Sequence, residues 1–272
     1  MNPAIYYLSG LSKRPLFVYS VRRVVSGYTG PAIRVRRIAS SVSTFQDFYF
    51  DSVTGELDQA AIRSFVGVGN IGYVNLWYDQ SGNGVILGGV SATAGREPRI
   101  VAADNTIYLK NGRPAVTFVG GLSNLISQNF TAIDDNDLSI FTVYTSNNTS
   151  VTQNPFTFGS IALPRPFSDG FDYLRYAGNN RITLGASDLL TKVYNSLSTP
   201  TSVSAWKNNV LISPSPVSIT SATSTTAFRL GYQSIGGFLN FNGSFQEILI
   251  YKGDVPARSS ITSEIMSYYS IT

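Results

Sequence analysis

Between residues 32 and 38 the side chains alternate one for one. Ile33, Val35 and Arg37 fall on one side, with Arg34, Arg36 and Ile38 on the other. A period of two marks a strand with distinct faces. Short runs rich in aromatic and β-branched residues recur at 73–78, 99–101, 115–118, 138–144, 156–158, 202–206, 228–230 and 245–251. Asn111-Gly112, Gly120-Gly121, Asn147-Asn148, Gly178-Asn179, Lys207-Asn208-Asn209 and Gly236-Gly237 supply turns between them. Many short strands separated by turns predict an all-β, mostly antiparallel sandwich.

The period changes twice. Asp58 can cap a helix, with Leu57 and Ile62 placed as a hydrophobic staple, Ala61, Ile62 and Phe65 as its buried stripe, and Gly67 as its stop. This short early helix is expected to cover one end of the sandwich. Near the C-terminus, Val255 and Pro256 open a second helix, in which Ile261, Ile265 and Tyr268 or Tyr269 recur every three to four residues. Residues 245–251 just before it are apolar on both faces, so the closing helix is their expected lid.

Composition narrows the function classes. The chain has 272 residues, 43% of them hydrophobic, enough for one sandwich over residues 16–272 behind an N-terminal arm of residues 1–15. It contains no Cys and no His, which removes disulfides, thiolate or His-ligated metal sites, and Ser-His or Cys-His triads. No cofactor and no metal are expected. The formal net charge is only +4, and the arginines at 34 and 36 flank Val35 as a strand face, so nucleic acid is not an expected partner. No signal peptide stands out, and no run approaches the roughly 18 apolar residues of a membrane span.

Candidate ligand-binding residues cluster in two stretches. Asp79, Gln80 and Asn83 follow a strand and are read either as groups presented to a ligand or as local backbone caps, the second being preferred. Trp77 is a candidate to stack on a sugar ring, with core packing the competing reading. Arg34 and Arg36, like Arg22, either bind substrate or pair with an acid such as Asp79. Further along, Asp172, Tyr173 and Tyr176 lie where aromatics, amides and charges mix, in segments read as recognition loops or exposed turns. The acidic group Asp134, Asp135 and Asp137 lacks the spacing of a calcium loop and is read as a solvated turn.

Several strings carry a family resemblance: Tyr19-Ser20-Val21-Arg22-Arg23, Tyr28-Thr29-Gly30-Pro31-Ala32-Ile33-Arg34-Val35-Arg36-Arg37, Trp77-Tyr78-Asp79-Gln80-Ser81-Gly82-Asn83-Gly84, and Asn111-Gly112-Arg113-Pro114-Ala115. Together they resemble the catalytic module of the α-L-arabinofuranosidase B family and related modules of phage structural proteins. The segment from Phe241 to Pro256 with the helix after it resembles the end of laminin-G-like and concanavalin A-like modules. The resemblance implies a concanavalin A-like jelly-roll sandwich and a tie to carbohydrate. No string matches the segments that carry the family's catalytic pair. The leading expectation is therefore a non-enzymatic, virion-located phage surface protein, made in the host cytoplasm. It would attach to other virion proteins through its N-terminal arm, bind a cell-surface glycan, and form a homo-oligomer. A glycoside hydrolase related to α-L-arabinofuranosidase, or a free-standing carbohydrate-binding module, is the alternative.

Overall fold

The computed structural model describes residues 13–89, 96–120, 123–159, 161–166, 171–176, 180–212, 224–231 and 241–272, without the side chains of 163–166, 175, 176, 180 and 181. Most of the expected arm, the turns at Gly178-Asn179 and Gly236-Gly237, Gly121, Asp169-Gly170 and the side chain of Tyr176 lie outside the described residues.

In chain order the first strands are β1 (Phe17–Ser20), β2 (Ile33–Ala39), β3 (Val42–Phe48), β4 (Gly72–Trp77), β5 (Leu87–Gly88), β6 (Arg99–Val101), β7 (Leu109–Lys110), β8 (Arg113–Pro114), β9 (Val116–Val119), β10 (Leu125–Ser127) and β11 (Ile133–Asp134). There follow β12 (Leu138–Ser146), β13 (Phe156–Phe158), β14 (Ile161–Pro166), β15 (Phe171–Tyr176), β16 (Asn180–Ala186), β17 (Lys192–Thr199), β18 (Ser202–Lys207), β19 (Val210–Leu211), β20 (Ser224–Thr225), β21 (Phe228–Leu230) and β22 (Asn242–Lys252). Helix α1 (Gln59–Val66) falls between β3 and β4, and α2 (Arg258–Tyr268) closes the chain.

One layer runs β18–β17–β12–β22–β1, every pair antiparallel. The other runs β3–β2–β4–β5–β10–β21–β13–β14–β15–β16, also antiparallel throughout. Strands β6 and β9 join the layers along one side, because β6 pairs with β4 and with β9, which in turn pairs with β22. Aromatic rings stitch the layers face to face. Tyr19 of β1 meets Trp77 of β4 at 6.1 Å and Phe228 of β21 at 5.7 Å, both edge-on. The result is the expected all-β sandwich of jelly-roll type with two helices.

Both helices form where the change of period placed them. The Asp58 carboxylate accepts from the Ala61 N–H at 2.9 Å, and Gly67, at φ +70°, ends α1 by donating to the Arg63 carbonyl. Ile62 and Val66 are buried, and Phe65 packs on Phe48 of β3. Helix α2 starts at Arg258, later than Val255-Pro256, because the Arg258 N–H bonds the Val255 carbonyl in a turn first. The helix covers the outer face of β22 and its neighbours, where Glu247, Leu249 and Tyr251 are fully enclosed. Under it, the Arg22 guanidinium bonds Glu247 at 2.9 Å and lies 3.9 Å from the centre of the Tyr268 ring. Tyr269 donates to the same carboxylate at 3.1 Å.

The middle of the chain differs most from expectation. The segments around Asp172 and Tyr176, read as loops or exposed turns, form the paired strands β15 and β16 instead. The apolar positions Phe171, Tyr173, Ile182 and Leu184 are strand-like, but intervening polar and glycine residues break the alternation that would reveal them.

Candidate active site

The turn after β4 is built inward. Asp79 accepts from the N–H of Val18 at 2.8 Å and of Ser81 at 2.9 Å. Gln80 accepts from the Val24 N–H and donates to the Arg22 carbonyl at 2.9 Å. Asn83 donates to the Leu16 carbonyl at 2.7 Å. Gly82 and Gly84 take φ of +91° and +73°, a conformation that disfavours any residue with a Cβ. The turn therefore fixes β1 at its edge of the sandwich. Burial pushes the Asp79 carboxyl above its ordinary value, and hydrogen bonds from Ser81, Val18 and Asn83 offset this only in part. Replacing Asp79 with Ala strands the buried Val18 N–H and is expected to cost about 1–3 kcal/mol. Asn keeps an acceptor there and should cost less; equal melting temperatures for the Ala variant and the native chain would disprove this.

The other early candidates are also engaged within the protein. Trp77 is fully buried and donates to the Ser20 carbonyl. Arg34 holds Asp47 through two bonds of 2.8 Å, and Tyr78 donates to the same carboxylate. Arg36 bonds Glu97 at 2.6 Å, and Asn75 donates to Glu97 from the other side. Asp134 is exposed and Asp135 buried. Among the described residues no group of three His, Cys, Asp or Glu is placed to hold a metal ion.

Asp172 stands apart from these. A bulge between Asp172 and Tyr173, opposite Gly185, points the carboxylate to the inside of the sandwich, where it has no exposed surface. Tyr194 donates to it at 2.7 Å and Tyr144 at 3.3 Å, Ser187 bonds its other oxygen, and the Lys192 ammonium lies 3.4 Å away. Tyr144 and Lys192 are paired across β12 and β17, and Tyr194 follows Lys192 by two, so all three share one sheet face. Tyr173, next along the strand, is buried.

Lys192 connects this interior to the surface. Its ammonium, 1% exposed, also bonds the Asp188 carboxylate at 2.7 Å and the Asp188 carbonyl at 3.1 Å. Asp188 is 38% exposed, and the Lys207 ammonium lies 3.7 Å from its second oxygen, beyond hydrogen-bond range. Partial burial raises the Asp188 carboxyl, but the bonds from Lys192 and the Leu190 N–H, with the charges of Lys192 and Lys207, outweigh it and hold the group below its ordinary value. These residues line a cavity of about 560 Å³ together with Asn111, Thr191 and Asn208. The two amides are already used, since Asn208 accepts from the Val193 N–H and Asn111 donates to the Tyr269 carbonyl. Among the described side chains that line the cavity Asp188 is the sole carboxylate, and the Lys207 ammonium lies beside it.

Of the residues gathered here, sequence reading singles out Asp172 and Tyr173 as ligand-binding candidates, and does not single out Asp188, Lys192, Lys207, Tyr144 or Tyr194. The available signals were Asp188 four residues before Lys192, and the i, i+2 pair Lys192 and Tyr194 on a strand.

The chain superposes on a GH54 α-L-arabinofuranosidase soaked with a cyclic sulfate inhibitor, with a TM-score of 0.62 and 13% identity over 98% of its length. The fold is that of the GH54 α-L-arabinofuranosidases. An arabinofuranosidase complexed with arabinofuranosyl-α-1,2-xylobiose matches over the same 98% with a TM-score of 0.58 and 14% identity. The chain spans 65% of the length of both of those proteins. A sialidase of Trypanosoma rangeli in complex with sialic acid matches 71% of the chain and 31% of its own, with a TM-score of 0.50 and 11% identity. No protein-family model and no curated protein matches the chain.

These likenesses overturn the expectation of a non-enzymatic phage surface protein, with its virion and capsid-associated setting. The sandwich is shared over 98% of the chain with solved arabinofuranosidase structures. The physical reason for the error is specific. No string matches the segments that carry the family's catalytic pair, whereas carboxylates brought together by folding need no shared string to act on a glycoside. A Ser-, Thr- and Asn-rich surface of low charge is equally compatible with a hydrolase.

Proposed function

We propose that the chain is a glycoside hydrolase that takes a glycoside into the cavity at Asp188. The observation that carries this reading is the partly exposed Asp188 carboxylate, held ionised by Lys192 at the cavity mouth within an arabinofuranosidase-like sandwich. Asp188 accepts a proton from an attacking water, whose oxygen bonds to the anomeric carbon as the glycosidic C–O bond breaks. The bond's electron pair leaves on the departing oxygen, while the Lys207 ammonium, 3.7 Å from Asp188, adds to the positive charge that keeps this carboxylate ionised. Asp172, with its tyrosines behind Lys192, is a positioning residue: it fixes the ammonium that fixes Asp188. An arabinofuranoside is the first substrate to test, because the matched structures hold such ligands.

The test is release of 4-nitrophenol from 4-nitrophenyl α-L-arabinofuranoside, a substrate whose leaving group departs without protonation. Asp188→Asn is expected to lower kcat/KM by about 100-fold or more. Because the Asp188 carboxyl is held low, the acid limb of kcat/KM is expected below the ordinary Asp value of about 3.9. Activity should persist as pH falls toward that value and drop only beneath it. No release from any aryl pentofuranoside or pyranoside by the native chain would sink the proposal.

A further inference from the structure

The turn that pins β1 has an outward side as well. Asn83 and Gly84 line a second cavity of about 740 Å³, with Gln128, Asn129, Phe130, Thr131 and Lys252 among its other walls. The cavity lies far from Asp188. On β12, Leu138 is opposite Lys252 and Tyr144 is opposite Lys192, so six residues, roughly 20 Å of strand, separate the two places.

Phe130 is a rigid platform in this cavity. Its ring sits 5.0 Å from Phe17, 5.8 Å from Phe158 and 6.2 Å from Phe228, yet it is only partly buried. The flanking backbone is fixed too, with the Gln128 N–H on the Ile86 carbonyl and the Phe130 N–H on the Thr226 carbonyl. The side chains of Gln128 and Asn129 are exposed. Asn83 uses its amide nitrogen on Leu16, so it offers a ligand its amide oxygen. Among the described residues that line the cavity there is no carboxylate, and Lys252 is the single charged one.

We propose that this cavity is an accessory binding site for a neutral oligosaccharide. The apolar face of a sugar ring rests on Phe130, and its hydroxyls bond the amides of Asn83, Gln128 and Asn129 and the hydroxyl of Thr131. Without a carboxylate the site binds and does not cleave. The turn thus has two roles: Asp79 and Gln80 hold β1, and Asn83 and Gly84 shape the site.

The experiment titrates an Asp188→Asn chain with arabinofuranosyl-xylobiose and a panel of neutral xylo- and arabino-oligosaccharides by calorimetry. Adding Gln128→Ala and Asn129→Ala is expected to weaken binding at least tenfold, with an unchanged melting temperature. Phe130→Leu, which keeps an apolar contact but loses the ring, should weaken it as well. Equal affinity in the Gln128→Ala, Asn129→Ala chain, or binding of no oligosaccharide in the panel, overturns the proposal. Hydrolysis is not read in this background, so failure here leaves the reading of Asp188 to its own assay, and the reverse holds too.

Discussion

Replacing Glu247 with Ala is expected to destabilise the protein by about 3–5 kcal/mol, because it leaves a guanidinium buried without its counter-charge. Arg22 and Glu247 are each 1% exposed and meet at 2.9 Å. Ser20 and Tyr269 donate to the same carboxylate, so the substitution also removes their acceptor. The stacking of Arg22 on Tyr268 keeps the orphaned charge under α2, where water cannot reach it. The rescue discriminates between charge and volume. Arg22→Met with Glu247→Leu removes both charges, retains bulk, and should recover most of the loss, since buried pairs are often replaceable by apolar residues. Urea melts of the two single variants and the double variant give the coupling. A Glu247→Ala chain within 1 kcal/mol of the native one, on the scale of an exposed pair, would contradict this account.

The second large effect is expected at Lys192→Met. The substitution leaves the fully enclosed Asp172 facing Tyr144, Tyr194 and Ser187 with no cation, at a cost again of about 3–5 kcal/mol. Asp188 simultaneously loses its 2.7 Å partner. Its carboxyl then rises toward the ordinary value, and the acid limb of aryl-glycoside release moves to higher pH with it. Adding Asp172→Asn should restore stability, since the amide oxygen still accepts from Tyr194, but should not restore the position of the acid limb. A Lys192→Met chain whose stability returns in the double variant together with an unmoved pH profile would show that Lys192 supports the fold and plays no part at Asp188.

The legible parts of the sequence were those where one physical signal dominates. Alternation in β2, the Asp58 cap of α1 and the greasy run of β22 each point to one structure. The site was less legible because its residues meet only through sheet pairing. Asp172 comes from one layer, whereas Tyr144 and Lys192 come from the other, and nothing local to either segment announces the meeting. Asp79 shows the converse. A conspicuous turn carries the most specific string in the chain, yet its carboxylate faces inward onto Val18. Function was misread for a related reason: an unmatched string was allowed to stand for a missing carboxylate, although carboxylates can meet through folding alone.

The position of β1 bears on how the chain assembles as it leaves the ribosome. Ser20 meets Glu247 across 227 residues, so the ladder partner of β1 is made long after it. The turn that grips Val18 lies only 61 residues on. It holds the early strand in place while its outer edge waits, unpaired, for β22 to be made, a wait typical of topologies dominated by distant pairings.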